Sequence, residues 1–307
     1  MIGFLLRRLA AGALTLLALL TLSFFLIRAA PGGPFDAERP LEPELRARLE
    51  AQYRLDQPLW RQYLAFLADL ARGELGPSLQ YREYRVAELI REGWPVSLRL
   101  GSAALLLAVA AGLGLGVLAA WRRDRLLDRL LMALATLLQA LPVFVSAPLL
   151  VLLFALTLGW LPAGGYGGGA LRHLVLPVTA LALPHLAIVA RLTRTAMVET
   201  LAAEFVRAAR ARGLSETRIL LVHALRPALV PVVAYLGPAA AAVLTGSVVV
   251  EQTFGLPGVG RYFVQGALNR DYTLVMGVVL LVGALVILLS LLADLLAAWL
   301  DPRIRLR

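Results

Sequence analysis

Apolar residues along this chain gather into six long blocks separated by short charged or glycine- and proline-rich stretches, and the blocks predict six helices. The first runs from about Leu9 to Ile27, the second lies between Arg99 and Arg122, and the third starts after Arg129. No charge follows until Arg172, so this interval is expected to hold one long helix, bent or interrupted near Pro142 and Pro148, and then a glycine-rich turn over 164–169. The fourth block lies between His173 and Arg191, the fifth between Arg226 and Glu251, and the sixth between Asp271 and Asp294. Crossing a hydrocarbon core of roughly 30 Å takes about 20 apolar residues, which each block supplies. A helix also closes its own backbone hydrogen bonds, as lipid requires of a spanning segment. The expected fold class is all-α: a polytopic membrane protein with six transmembrane helices.

Between the first and second blocks the pattern changes. Residues 31–96 are rich in proline and charge and read as a small helical external domain. Asp56-Gln57-Pro58 is a helix start signal, with proline tolerated in the first turn. Leu59, Trp60, Tyr63, Leu64, Phe66, Leu67 and Leu70 then recur at helical spacing, and Gly73 ends the run. Shorter helices are expected over 43–53 and 86–92. The chain thus divides into a first span over 1–30, the external domain over 31–96, a five-helix core over 97–300 and a tail over 301–307. The first block, about 19 residues, is longer than the roughly 7 to 15 of a secretion signal's apolar core and reads as an anchor.

Composition supports this and charge orients it. Sixty per cent of the 307 residues are hydrophobic and the mean hydropathy is +0.77, above the roughly half-apolar make-up of a soluble domain. All 30 basic Lys and Arg positions are arginine. Arg7 and Arg8 and the arginines of 122–129, 191–226 and 303–307 fall on one side of a six-helix path, which the positive-inside tendency makes cytoplasmic. Both termini are then expected inside. The formal charge of +10 follows from this topology and from attraction to anionic head groups, and no nucleic-acid partner is implied. The chain has no cysteine, so neither a disulfide framework nor a thiolate metal site exists. Gly112, Gly114 and Gly116 in the second block predict close helix packing. Pro177, Pro184, Pro231 and Pro238 suit helices lining a cavity, where neighbouring groups satisfy the freed carbonyls.

The most informative stretch is the cytoplasmic loop over 193–226, with a helix expected from Glu204 to a left-handed glycine cap at Gly213. Ser215 is expected to cap a second helix, with Glu216 at its positive end and Pro227 closing it. Ala208, Ala209 and Ala211 would let another protein's surface approach the backbone, while arginines pair with acids across the interface. An amphipathic helix lying on lipid is the weaker reading, because a face of alanines buries little area.

This pattern resembles the cytoplasmic loop of permease subunits in binding-protein-dependent ABC importers, where an acidic residue and two alanines precede a glycine. Ala208, Ala209 and Gly213 match that loop, Arg207 takes the acidic position, and the terminal proline arrives one residue late at Pro227. Phe205-Val206-Arg207-Ala208-Ala209-Arg210-Ala211-Arg212-Gly213-Leu214 and His223-Ala224-Leu225-Arg226-Pro227 are similar to the dipeptide and oligopeptide branch in particular. So are Leu6-Arg7-Arg8-Leu9, Ala30-Pro31-Gly32-Gly33-Pro34 and Leu55-Asp56-Gln57-Pro58-Leu59. Glu251-Gln252-Thr253-Phe254-Gly255-Leu256-Pro257-Gly258-Val259-Gly260-Arg261 resembles that branch's loop before the last span, read here as an external flap over 251–272.

The resemblance implies a permease subunit in the bacterial inner membrane that forms half of a translocation pathway for di- or oligopeptides. The same branch also serves nickel and glutathione. Implied partners are a second, related permease subunit, two cytoplasmic ATPase subunits that hold ATP and Mg²⁺, and an external solute-binding protein. Contact with the ATPase would fall to Glu204, Arg207, Ala208, Ala209, Arg210 and Gly213. The chain lacks a phosphate-cradling Gly-Lys-Ser/Thr loop, since it has no lysine, and binds no cofactor of its own on this reading. An ion-coupled secondary transporter would carry ionisable residues at membrane depth, where His185 is the main candidate and reads better as a packed, hydrogen-bonded side chain. A membrane enzyme would need a metal or nucleophile constellation, which three histidines and no paired carboxylates at depth do not assemble.

Overall fold

The computed structural model describes residues 2–35, 42–81 and 83–300. The tail that was expected to be cytoplasmic, 301–307, lies outside them. Every regular element among the described residues is helical, and the nearest approach to a strand is an isolated bridge between Pro77 and Arg85. In chain order the helices are α1 (Ile2–Ala29), α2 (Pro43–Gln52), α3 (Leu59–Ala71), α4 (Val86–Trp121), α5 (Leu126–Ala140) and α6 (Val143–Leu150). They continue with α7 (Leu171–Leu201), α8 (Glu204–Ala211), α9 (Glu216–Arg218), α10 (Leu225–Phe254), α11 (Val259–Leu268) and α12 (Tyr272–Leu300). Wider π-turns extend α6 over Val151–Thr157 and join α9 to α10 over Ile219–Ala224.

Among the described residues, five helical stretches are long and apolar enough to cross a membrane, and a bent pair makes the sixth. That pair is the third span, broken near Pro142 as expected, whereas at Pro148 the helix runs on without a break. Leu126–Ala140 and Val143–Thr157 meet at 107°. The cause is local, because the ring of Pro142 pushes the preceding residue out of the helical region, and Leu141 sits at φ −80°, ψ 115°. A correction concerns 86–92, which is no separate helix. It is the first part of α4, which continues unbroken past Pro95.

The chain forms two compact units. Among the described residues, one comprises 2–8, 97–257 and 285–300, and the other 9–35, 42–81, 83–96 and 258–284. In the first, α7 packs against α5, α6 and α10. Helix α4 meets α7 through its glycines: a Cβ on Gly112 would stand 2.7 Å from the Val189 Cβ, and one on Gly116 2.5 Å from the Thr193 Cβ. His185 is buried, with Nδ1 2.9 Å from the Tyr235 hydroxyl, so it is a packed, hydrogen-bonded group. Arg8 and Asp294 pair at 2.6 Å, tying the start of α1 to the later part of α12.

In the second unit, Leu20 and Phe24 of α1 pack with Met276 of α12, flanked by Tyr63, Phe66 and Leu70 of α3. Val86 and Leu89 of α4 pack with Val259, Leu274 and Val278. Asp271 is fully buried at the start of α12, where Oδ1 accepts from the Leu274 N–H at 3.0 Å and the Thr273 hydroxyl at 2.9 Å. Its Oδ2 accepts from the Gln80 N–H at 3.0 Å and from the Ser78 hydroxyl. One carboxyl group thus caps a helix and anchors a loop. Asp271→Ala removes the cap and strands the buried Ser78 hydroxyl, at an expected cost of about 2–4 kcal/mol. Asp271→Asn, which still caps, should lose less. Thermal unfolding of the two purified variants side by side tests the ordering.

Candidate functional site, a capped elbow

The 193–226 stretch folds as an elbow in the first unit. Helix α7 runs on to Leu201, and a two-residue turn leads into α8 at Glu204. The end of α8 is closed by two reverse bonds, Gly213 N–H to the Arg210 carbonyl at 2.9 Å and Leu214 N–H to the Ala209 carbonyl at 3.3 Å. This is a Schellman cap, and it needs the left-handed φ of +81° that Gly213 adopts. Leu214 then folds back onto the apolar side of α8, the hydrophobic contact that accompanies such a cap.

The elbow has two faces. Val206 and Ala209 turn inward and pack with Ile219, Leu201 and Leu214. Glu204, Phe205, Arg207, Ala208, Ala211 and Arg212 turn outward. Ala209 was expected on the outer surface with Ala208 and Ala211. It is buried instead, because residues three apart on a helix share a face and Val206 already faces inward. Its small side chain serves close packing within the chain. Phe205, absent from the expected contact set, is half exposed at 50%. The signal for it was available in the sequence: an aromatic residue on a short helix otherwise built from alanine and charge.

The arginines of α8 are not alike. Arg210 Nε and Nη2 donate to the two carboxyl oxygens of Glu216 at 2.8 and 3.2 Å, bridging the elbow from α8 to α9. That hydrogen bonding pushes the Arg210 guanidinium above its ordinary range. Arg207 reaches Glu204 only at 3.8 Å, with both side chains well exposed. Ser215 stands at the N-cap position of α9, yet its side chain makes no capping bond. Pro227 does not close the second helix, which passes through it into α10. The π-turn over Ile219–Ala224 widens the backbone where the Pro227 ring would strike the carbonyl of residue 223.

Behind the elbow, Met197 of α7 packs with Leu220, Ala224 and Ala228, and with Ala120 of α4. The later part of α7 is braced from α5. Arg194 donates to both Asp128 oxygens at 3.1 and 2.7 Å, and Arg191 donates to Gln139 Oε1 at 2.7 Å. Asp128 is buried and also accepts from the Asp124 N–H at 2.9 Å. This clamp was not anticipated, since its partners lie 66 residues apart.

The residues expected in an external flap divide differently. Glu251 and Phe254 lie in the last turn of α10 and are buried, with Glu251 Oε1 accepting from the Ser97 hydroxyl at 2.6 Å. The loop begins only at Gly255, whose φ of +64° ends the helix. Pro257 follows in that loop, Gly258 is the N-cap residue of α11, and Gly260 is buried in the first turn of α11. The glycine-rich turn reaches the same helix end, with Gly165 N–H donating to the Phe254 carbonyl at 2.7 Å.

Helices long and apolar enough to cross a membrane, one of them a broken pair, define a multi-pass membrane protein. Residues 112–306 match the family described as binding-protein-dependent transport system inner membrane component, and residues 1–82 match the N-terminal part of that membrane component. The chain is 50% identical to the oligopeptide transport system permease protein OppB of Escherichia coli strain K12 over 305 residues, 99% of this chain and 100% of that one. It is 42% identical to the dipeptide transport system permease protein DppB of Bacillus subtilis strain 168 over 306 residues, covering 100% of this chain and 99% of that one. The chain therefore belongs to the family of binding-protein-dependent transport system inner membrane components. Its fold is similar to a chain of the MetNI methionine ABC transporter seen in inward-facing conformations, with a TM-score of 0.58 and 19% identity over 69% of this chain and 96% of that one.

Proposed function

We propose that this chain is the permease subunit of an ATP-driven importer of di- and oligopeptides and supplies half of the translocation pathway. The peptide cargo rests on the full-length likeness to oligopeptide and dipeptide permeases. A second, related permease subunit completes the pathway, and an external solute-binding protein delivers the cargo. ATP and Mg²⁺ belong to two cytoplasmic ATPase subunits. The membrane is the bacterial inner membrane, with both termini cytoplasmic, an orientation supported by the arginine asymmetry.

The observation that carries the reading is the two-faced helix α8. Its inner side is keyed to α9 and the π-turn, while its outer side offers a half-exposed aromatic, two alanines and a row of charges. A small, ridge-like outer face of this kind fits a cleft on another protein and gives lipid little area to hold. A push on α8 reaches Ile219 directly and then, through the adjoining Leu220, the Met197 and Ala228 packing, so it moves α7 and α10 together. The clamp from Asp128 to Arg194 makes the end of α7 stiff enough to transmit that push.

Phe205→Ala tests the outer face without touching the inner one. An aromatic anchor at the centre of an interface contributes about 2 kcal/mol or more. Co-purification of the ATPase subunits with the variant should therefore fall by at least about tenfold, with ATP-dependent dipeptide uptake falling alongside and membrane insertion unchanged. Unaltered ATPase capture would remove the coupling role from this face.

A further inference from the structure

Within the second unit lies a cleft of about 290 Å³ whose walls include Arg28, Gln62, Asp69, Glu74, Leu75 and Tyr272. Arg28 is its unusual member. The guanidinium lies over the Phe24 ring at 3.6 Å from the centroid and over the Tyr272 ring at 4.9 Å. Neither ring contact uses up an N–H donor. Nε donates to Gln62 Oε1 at 3.2 Å and Nη1 to the Phe24 carbonyl at 3.3 Å. No carboxylate among the described residues pairs with Arg28. Nη2 makes no hydrogen bond there. A partly buried cation normally has an anionic partner, and the unengaged Nη2 can donate a charge-assisted bond to a carboxylate.

Gln62 is itself fixed, since its Nε2 donates to the Gln57 and Leu55 carbonyls at 2.8 and 3.3 Å. The orientation of the Arg28 guanidinium is therefore set before any ligand arrives. The same cleft carries acids on another part of its wall. Asp69 is held by Arg54 at 3.5 Å, while Glu74 is exposed and makes no side-chain ion pair among the described residues. Leu75 and Phe66 add apolar surface to the walls.

We infer that this cleft is a binding site for a small zwitterion of the amino-acid or short-peptide class, with the carboxylate on Arg28 and the ammonium at Glu74. The site is separate from the elbow, and the inference does not depend on the coupling role of α8.

The test uses the full chain in lipid nanodiscs, titrated calorimetrically with glycyl-leucine, its C-terminal amide, its N-acetyl form and inorganic phosphate. Glycyl-leucine should bind saturably, and the amide and the N-acetyl form each at least about tenfold more weakly. Arg28→Met should reproduce the loss seen with the amide, and Glu74→Gln the loss seen with the N-acetyl form. Because the ligand series needs no variant, a poorly folded Arg28→Met leaves the outcome decidable. Equal affinity for the acid and its amide, no saturable binding at about 10 mM, or phosphate binding as tightly as the dipeptide would each overturn the assignment, the last by making the cleft a head-group or general anion site.

Discussion

Gly213→Val is expected to lower ATP-dependent uptake by about tenfold while leaving the protein folded and inserted. Backbone conformation, not crowding, sets the effect. A Cβ at Gly213 would meet nothing within 4 Å, yet the residue sits at φ +81°. An L-residue with a side chain is penalised there by about 1–2 kcal/mol, and a β-branched one by more. That is small beside the stability of a whole helical bundle, so the chain survives. It is large for an eight-residue helix whose end is held by two reverse bonds. The cap opens, Leu214 leaves its seat against Val206 and Ala209, and the outer face no longer keeps a fixed direction. Gly213→Asn supplies the control, because asparagine tolerates the left-handed region, and it should retain most uptake. Gly213→Ala should fall between. Uptake that is equal across all three variants would show that the cap conformation has no part in coupling.

What the sequence disclosed and what it hid divide along a physical line. Spans, helix starts and glycine caps depend on neighbours within a few residues, so the six apolar blocks and the left-handed ends at Gly73 and Gly213 could be read directly. Family membership was legible for the same reason, since its signals are short runs such as Phe205-Val206-Arg207-Ala208-Ala209. The bend at Pro142 was readable as a break, but its angle of 107° depends on how α6 packs against α7 and α10. The faces of α8 were misjudged at Ala209 because composition gives no helical phase: alanine fits either side, and only Val206 and Ile219 show which side is buried. The polar pairs that hold the elements escaped altogether. Asp128 with Arg194, Ser97 with Glu251 and Ser78 with Asp271 are separated by 66, 154 and 193 residues. Glu251 shows the consequence. At the start of a glycine-rich segment it reads as a loop acid, yet helix α10 extends past it and buries it.

Gly116→Leu should lose stability by driving α4 away from α7. A Cβ there would lie 2.5 Å from the Thr193 Cβ and 2.6 Å from the Ala190 carbonyl oxygen, and the carbonyl belongs to the backbone of α7 and has no rotamer to escape into. One turn earlier, a Cβ on Gly112 would lie 2.7 Å from the Val189 Cβ and 2.9 Å from the Leu186 carbonyl oxygen. Only separation of α4 from α7 relieves either clash, at about 1–3 kcal/mol or more for each site. Without a hydrophobic drive between helices in lipid, van der Waals contact is most of what holds such a pair, so a gap of even an ångström forfeits much of it. One separation satisfies both sites, so the double variant Gly112→Leu with Gly116→Leu should cost clearly less than the sum of the singles. Gly114 faces open space. There, Gly114→Ala should be neutral or stabilising by up to about 1 kcal/mol, since alanine is the better helix former. Thermal unfolding of these four variants in one detergent supplies the whole comparison. Full additivity of the two leucines, or a loss at Gly114 as large as at Gly116, would mean that the α4–α7 contact is not built on these two glycines.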